Sequence, residues 1–95
     1  MATIGVLTLE LRLEHSRSLK DKRHVVRGLK DRLRQKFNVS VAEIDYQDLW
    51  QRALVAAVTV SPDHEYARKL LESVEKEASW LLGADLVGAQ VEWVE

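Results

Sequence analysis

The order in which the hydrophobic pattern changes its period constrains the fold more than any other feature of this chain. Period-two alternation of apolar residues predicts a strand, and recurrence at spacings of three and four predicts an amphipathic helix. The two patterns follow each other as strand, helix, strand, strand, helix, strand. The predicted strands cover residues 4–13, 39–45, 52–60 and 86–94, and the predicted helices cover residues 18–37 and 61–83.

This order predicts one α+β domain. Two right-handed β-α-β crossovers give a four-stranded antiparallel sheet with spatial order 4-1-3-2 and both helices on one face, the ferredoxin-like βαββαβ sandwich. A chain of 95 residues suffices for a single core. We therefore expect a single ferredoxin-like domain over residues 1–95.

Helix boundaries follow from the capping residues. Ser18, followed three residues later by Asp21, is a capping-box-like start for the first helix. Ser61 and Pro62 suit the N-cap and first position of the second helix, and Gly83 suits its C-terminal end. Inside the first helix, Gly28 is a residue that would allow a close approach of another backbone.

The third strand is apolar on both faces and is therefore predicted to be central. Its alternate residues fit the helix-covered side, which leaves Val55 and Ala57 on the uncovered side with Ile4 and Val6 of the first strand. An apolar face left in water usually marks an interface. We expect a homo-oligomer, with a dimer favoured, formed through this face or through a strand edge. The residues assigned to the covered side are Leu54, Ala56, Val58 and Val60.

The first helix carries a long row of cations. Residues 18–37 hold eight Lys or Arg and two Asp, a balance of +6. Like charges three or four residues apart repel, which indicates that something pairs with them. The row can be a solvated face, can pair with acidic groups of the second helix or another subunit, or can track RNA phosphates. A membrane surface is disfavoured because the helix lacks exposed apolar anchors. The row consists of Lys20, Arg23, Arg27, Lys30 and Arg34, widened by Lys22, Arg32 and Lys36.

Overall composition narrows the class of protein. The net charge of −1 conceals +6 over residues 1–38 and −7 over residues 39–95, which suits self-association or binding of an anion. The absence of cysteine excludes disulfides and thiolate metal sites. No signal peptide or membrane-spanning run is recognisable, so we expect a cytoplasmic protein. Abundant Glu, Lys and Arg with one Met fit a thermophile.

No catalytic or metal motif is evident. The spacing of His15, His24 and His64 matches no metal signature. Scattered glycines form no phosphate-binding loop. We predict a non-enzymatic protein without a metal or cofactor, and assign structural or solvent-facing roles to the three histidines.

The segment after the second strand combines carboxylates and aromatic residues. Glu43, Asp45 and Asp48 can serve in acid–base chemistry or bind a hard cation, although salt bridging or turn formation is the simpler interpretation. Tyr46 and Trp50 can stack on bases or cover a core. The first and third strands contain no aromatic residue, so RNA would bind the basic helix and this segment rather than the sheet. Trp80 and Trp93 are interpreted as packing residues.

Three segments carry a resemblance to a known family. They are IGVLTLELRL at residues 4–13, SLKDKR at residues 18–23 and FNVSVAEIDYQDLWQRA at residues 37–53. The chain resembles the YlxP-like family of small bacterial proteins of unestablished function over nearly its whole length. That pattern commonly has His immediately before Ser-Leu-Lys, where this chain has Arg17, so the resemblance implies no catalytic or metal role for a His there.

The resemblance implies a cytoplasmic ferredoxin-like protein and a setting among translation and ribosome-maturation genes. The leading hypothesis is a non-enzymatic oligomeric protein that contacts structured RNA or a ribosomal subunit through the basic helix. The alternatives are an interaction module whose basic helix meets an acidic protein surface, and a small-molecule role near Asp45 and Asp48. The resemblance directs attention to Ser18, Lys20, Lys22, Arg23, Asp45, Gln47, Asp48, Trp50, Gln51 and Arg52.

Overall fold

A computed structural model describes residues 1–94 of the chain and shows the predicted order of elements. Each boundary lies within a few residues of its prediction. The strands are β1 (Thr3–Arg12), β2 (Ser40–Asp45), β3 (Arg52–Ser61) and β4 (Leu86–Val94); the helices are α1 (Leu19–Lys36) and α2 (His64–Leu82), followed by a short 3-10 turn, Gly83–Asp85.

The four strands form one antiparallel sheet in the order β2-β3-β1-β4. This is the predicted order 4-1-3-2 counted from the other edge, and the ferredoxin-like fold is confirmed. Helix α1 packs against β2 and β3, whereas α2 packs against β1, β3 and β4. Both helices cover the same face, which leaves the other face of the sheet open. Among the helices of residues 1–94, none is long and apolar enough to cross a bilayer.

The core lies between the helices and the sheet, and it corrects one prediction. Leu7 of β1 pairs directly with Ala57 of β3, and Leu9 pairs with Val55. Residues directly opposite each other on antiparallel strands share a face. Val55 and Ala57 are therefore fully buried beneath the helices, and their assignment to an oligomer interface on the open face is wrong.

The error has a simple origin. A strand with apolar residues on both faces gives no signal for which alternate set faces the core, and a shift of one residue exchanges the two faces. Ile4 and Val6 do lie on the open face, since they pair with Val60 and Val58. The apolar residues of β3 on the open face are Leu54, Ala56, Val58 and Val60.

The two helices begin differently from each other. In α1, the Ser18 hydroxyl accepts a hydrogen bond from the Asp21 N–H at 3.1 Å, as the sequence predicts. In α2, the N-cap is Asp63 rather than Ser61. Ser61 is instead the last residue of β3, and its hydroxyl accepts a bond from the Asp63 N–H. The charged Asp63 carboxylate is the acceptor for the first free N–H groups of α2.

Two glycines show opposite constraints on backbone packing. A methyl group on Gly5 would lie 2.7 Å from both Leu71 and the Trp93 ring, so β1 needs a glycine where α2 and β4 press closest. Apart from its chain neighbours and the backbone of α1 itself, no heavy atom of residues 1–94 lies within 4 Å of the corresponding position on Gly28. The predicted backbone approach at Gly28 is wrong.

Trp93 packs against the core, but Trp80 is 75% exposed and is not a packing residue.

Candidate functional site

Several segments that carry candidate residues meet at one end of the domain. The carboxyl ends of β1 and β2 and the amino ends of β3 and β4 lie there, because the strands are antiparallel. Three segments connect these strands to the neighbouring elements of the chain: residues 13–18, 46–51 and 83–85. We call these three segments the loop end. The cationic row of α1 starts at the loop end and runs away from it.

Lys22 holds this end together from the inside. Its side chain is 1% exposed. The ammonium nitrogen donates to the carbonyl oxygens of Tyr46 at 2.7 Å and Gln47 at 3.2 Å. It also lies 3.3 Å from the carbonyl oxygen of Arg52 and 2.9 Å from Glu43 Oε2.

These contacts exclude a phosphate from Lys22. A buried ammonium needs a counterion and full hydrogen bonding, and here Glu43 and three carbonyl groups supply both. The prediction that Lys22 belongs to a nucleic-acid surface is therefore wrong. It instead ties the first turn of α1 to the segment between β2 and β3.

That segment has a defined conformation. Tyr46 adopts a positive φ of 64°, a conformation that non-glycine residues rarely occupy. The Asp45 carboxylate accepts a bond from the Tyr46 N–H, and the Tyr46 carbonyl accepts one from the Leu49 N–H. The Arg52 guanidinium lies 4.1 Å from the centre of the Tyr46 ring and donates to the Tyr46 hydroxyl at 3.1 Å. One face of Tyr46 is therefore covered by Arg52, which leaves Trp50 as the better candidate for stacking.

Gln51 fixes the segment before α1 through a second set of hydrogen bonds. Its side-chain amide donates to the carbonyl oxygens of Glu14 at 3.1 Å and Ser16 at 3.2 Å. Its own carbonyl accepts a bond from the Leu13 N–H at 2.9 Å. Residues 13–16 are thus fixed by Gln51, as residues 46–52 are fixed by Lys22.

The cations on the outer side of α1 differ from Lys22 because they have no acidic partner within residues 1–94. Lys20, Arg23 and Arg27 are exposed, and none of their side chains forms an ion pair or hydrogen bond within residues 1–94. Half-buried Lys30 is likewise unpaired there, and Arg34 donates to the Val41 carbonyl at 2.9 Å. We call these five residues the cationic flank: Lys20, Arg23, Arg27, Lys30 and Arg34.

Cations on the opposite side of α1 are paired. Arg32 lies 2.9 Å and Lys36 lies 2.7 Å from the carboxylate oxygens of Glu77 on α2. The hydrogen bond from Lys36, followed by that from Arg32, lowers the pKa of Glu77 below its usual value. This pairing across the helices accounts for two of the eight cations of α1. The cationic flank has no acidic partner among residues 1–94.

The three carboxylate candidates of the sequence differ in their surroundings. Glu43 forms an ion pair with Lys22, whereas Asp45 and Asp48 are exposed. Over residues 1–94, no three His, Asp or Glu side chains are arranged to hold a metal ion. His64 lies 4.2 Å from the Trp93 ring, centre to centre.

Comparison with known proteins places the chain in a family. The family described as "Protein of unknown function (DUF503)" matches residues 4–91. The chain belongs to this family. The uncharacterized protein YlxP of Bacillus subtilis (strain 168) is 39% identical over 71 residues, which cover 75% of this chain and 77% of YlxP. The resemblance inferred from the sequence is confirmed.

Similar solved structures show the fold alone. The de novo designed protein Foldit4 has a TM-score of 0.62 at 12% identity and covers 100% of this chain and 98% of its own. The de novo designed protein LFR1 1 with ferredoxin fold has a TM-score of 0.50 at 14% identity, covering 99% and 84%. SnoaB, a cofactor-independent oxygenase from Streptomyces nogalater, has a TM-score of 0.50 at 12% identity, covering 99% and 91%.

Sequence reasoning missed a pocket at the loop end of this DUF503 protein. His15 and His24 lie nine residues apart in the chain and line the same cavity of about 410 Å³. The only signal in the sequence was that His15 lies shortly before α1 and His24 lies near the start of α1. The segment before the helix folds back beside the first residues of the helix. Trp50 lines a separate, shallow depression formed by residues 48–52 and is 53% exposed.

Proposed function

We propose that this protein contacts structured RNA or a ribosomal particle through the cationic flank of α1. The observation that supports the proposal is the contrast in pairing among its cations. Lys22, Arg32 and Lys36 have acidic partners. The exposed residues of the cationic flank have none within residues 1–94. Unpaired cations clustered on one surface create a positive potential that favours binding of a polyanion.

The shape of the cationic flank suits a phosphate backbone. Lys20 and Arg34 are fourteen residues apart, which corresponds to about 21 Å along the helix axis. Five contacts to phosphates would release counterions and give binding that weakens steeply with salt. The expected slope of log K against log salt is about −3.5 to −4.5 for five contacts.

Trp50 would add stacking at one end of this surface. Its ring is half exposed at the loop end, where α1 also begins, and stacking on a base contributes about 1–3 kcal/mol in single-stranded complexes. The open face of β1 and β3 has no aromatic side chain. RNA would therefore bind along α1 and the loop end and would not lie across the sheet.

The experiment compares two charge reversals of equal size. Binding to total RNA and to purified ribosomal subunits is measured over a salt series for wild type, Arg23→Glu/Arg27→Glu and Lys69→Glu/Lys76→Glu. Both variants carry a net charge of −5, because each substitution adds two negative charges to the wild-type −1. Lys69 and Lys76 are exposed on α2, whereas the cationic flank lies on α1.

The proposal expects salt-sensitive binding that Arg23→Glu/Arg27→Glu loses and that Lys69→Glu/Lys76→Glu retains. The salt slope should fall by about one unit for each phosphate contact removed. Equal losses in the two variants would show that only net charge matters and would overturn the assignment to α1. Absence of binding by folded wild type would overturn the proposal as a whole.

A second candidate function is a homo-oligomeric interaction module, and one observation favours it. The open face carries exposed apolar side chains, with Ile4 37% and Val60 64% exposed. Such a patch typically marks an interface. If the face joins two copies, Val60→Lys should shift the mass measured by analytical ultracentrifugation to that of one chain. A single-chain mass for wild type would exclude this interface.

A further inference from the structure

The cavity at the loop end has the composition of a ligand site. Its volume of about 410 Å³ lies within the range of about 300–1,000 Å³ that is usual for small-molecule pockets. Leu13 and Val25 provide apolar walls. Polar side chains of both kinds surround them: His15, Lys20 and His24 can donate hydrogen bonds, and Asp21 and Asp85 accept them.

The walls of this pocket are preorganised. Ser16 is buried; its N–H donates to the Leu13 carbonyl, and its hydroxyl donates to the Ser18 carbonyl. The Asp21 carboxylate accepts a bond from the Arg17 N–H at 2.9 Å. The side-chain amide of Gln51 donates to the Glu14 and Ser16 carbonyl groups of the same segment. A ligand would therefore meet a fixed surface and would cost little conformational entropy to accommodate.

Two polar groups of the pocket are free to bind. Lys20 is exposed and has no ion pair within residues 1–94, and the half-buried Asp85 carboxylate has no hydrogen-bond partner there. A cation and a carboxylate that face the same apolar cavity without pairing suit a ligand with an anionic part and an N–H-donating part. A nucleotide has both, together with a flat apolar body.

We propose that this pocket binds a single nucleotide. The base would lie against Leu13 and Val25, with its amino or ring N–H groups donating to Asp85 and Asp21, and the phosphate would accept hydrogen bonds from Lys20 and the two histidines. The proposal deepens the proposed RNA contact and rests on it where the nucleotide belongs to a strand, because Lys20 belongs to both the pocket and the cationic flank. Bases with an exocyclic amino group should bind more tightly than uracil, since they offer more donors to the carboxylates.

The test titrates ¹⁵N-labelled protein with AMP, GMP, CMP and UMP, and separately with inorganic phosphate, while backbone amide shifts are recorded. Saturable shifts confined to residues 13–25 and 83–86 are expected for the nucleotides, with UMP the weakest. Asp85→Asn and His24→Ala should each weaken binding by about tenfold. Asp48→Asn, an identical change outside the pocket, should leave binding unchanged.

Further arms separate this proposal from the proposed function. Arg23→Glu/Arg27→Glu should keep nucleotide binding even where it loses RNA. Absence of saturable shifts with all four nucleotides, or full affinity for them in both Asp85→Asn and His24→Ala, would overturn the pocket and leave the RNA contact standing. Equal shifts with inorganic phosphate and with AMP would show an anion site without base recognition and would overturn the proposal as stated.

Discussion

Lys22 and Arg23 are neighbours in the chain, yet they belong to two different sets of cations. Lys22 is buried against Glu43 and three carbonyl groups, whereas Arg23 is exposed and unpaired within residues 1–94. The paired set is Lys22, Arg32 and Lys36, and the unpaired set is the exposed part of the cationic flank. The contrast shows that helical position, rather than residue type, separates a cation that stabilises the fold from one that is available to a partner.

The first and largest test of this difference is Lys22→Met. Removing one member of a buried ion pair leaves the other charge and its carbonyl partners unsatisfied, which costs about 3–5 kcal/mol. We expect a loss of this size in the free energy of unfolding measured by urea denaturation. The matched change Lys20→Met, on an exposed unpaired cation two residues earlier, should cost less than about 0.5 kcal/mol. Similar losses for both would remove the distinction between the two sets.

Gly28→Ala tests the outer surface of α1 between the two sets. Open space surrounds the position, and alanine is favoured over glycine in a helix by about 1 kcal/mol. We expect the free energy of unfolding to rise by about that amount. Gly83→Ala is the control, because the φ of 55° at Gly83 is strained for any other residue and the stability should fall. A loss on Gly28→Ala would mean that something packs there.

A smaller effect is expected from Glu77→Gln, which weakens the pairing of Arg32 and Lys36 across the two helices. The pKa of Glu77 is lower in the folded chain than its ordinary value of 4.5. Its contribution to stability is therefore present above pH 4.5 and is lost as the pH falls through the folded pKa. Thermal unfolding should show a lower midpoint for the variant at pH 7 and a narrowing difference from wild type below pH 4.5.

Glu75→Gln is the control for this prediction. Glu75 is exposed on the same helix and has no ion pair within residues 1–94. Its replacement should shift the midpoint less than Glu77→Gln at pH 7. A constant difference between wild type and Glu77→Gln over the whole pH range would show that the carboxylate charge is not what matters.

The sequence predicts the fold well because long periodic segments determine it. The alternation over β1 and the helical stripe of Val26, Leu29 and Leu33 leave few alternatives for a chain of this length. The position of Lys22 was also recoverable, since it lies four residues before Val26 and seven before Leu29 and therefore on the buried stripe. A lysine on such a stripe predicts a buried counterion, which the sequence offered in Glu43.

Other features could not be predicted from one chain. In β3, apolar residues on both faces hide which face is covered, and only the register with β1 decides it. The pocket at the loop end depends on how two connecting segments pack against the first turns of α1, because Leu13, Val25 and Asp85 are distant in sequence. Hydrophobic periodicity carries no information about how such segments meet.

The smallest expected effect on stability concerns Arg23→Glu/Arg27→Glu. If the cationic flank has no partner within the chain, reversing two of its charges removes no favourable contact and relieves some repulsion between neighbouring cations. The free energy of unfolding should then change by no more than about 0.5 kcal/mol. Thermal unfolding at two protein concentrations tests this expectation against Lys69→Glu/Lys76→Glu.

Both the size of the effect and its dependence on concentration are informative. A loss that grows with protein concentration would show that these arginines pair with acidic groups of a second copy, because a partner stabilises the folded state by mass action. The interaction module would then replace RNA contact as the better explanation of the cationic flank. An unchanged midpoint at both concentrations, together with loss of RNA binding, would assign different roles to two neighbouring residues of α1. Lys22 would stabilise the fold, and Arg23 would bind RNA.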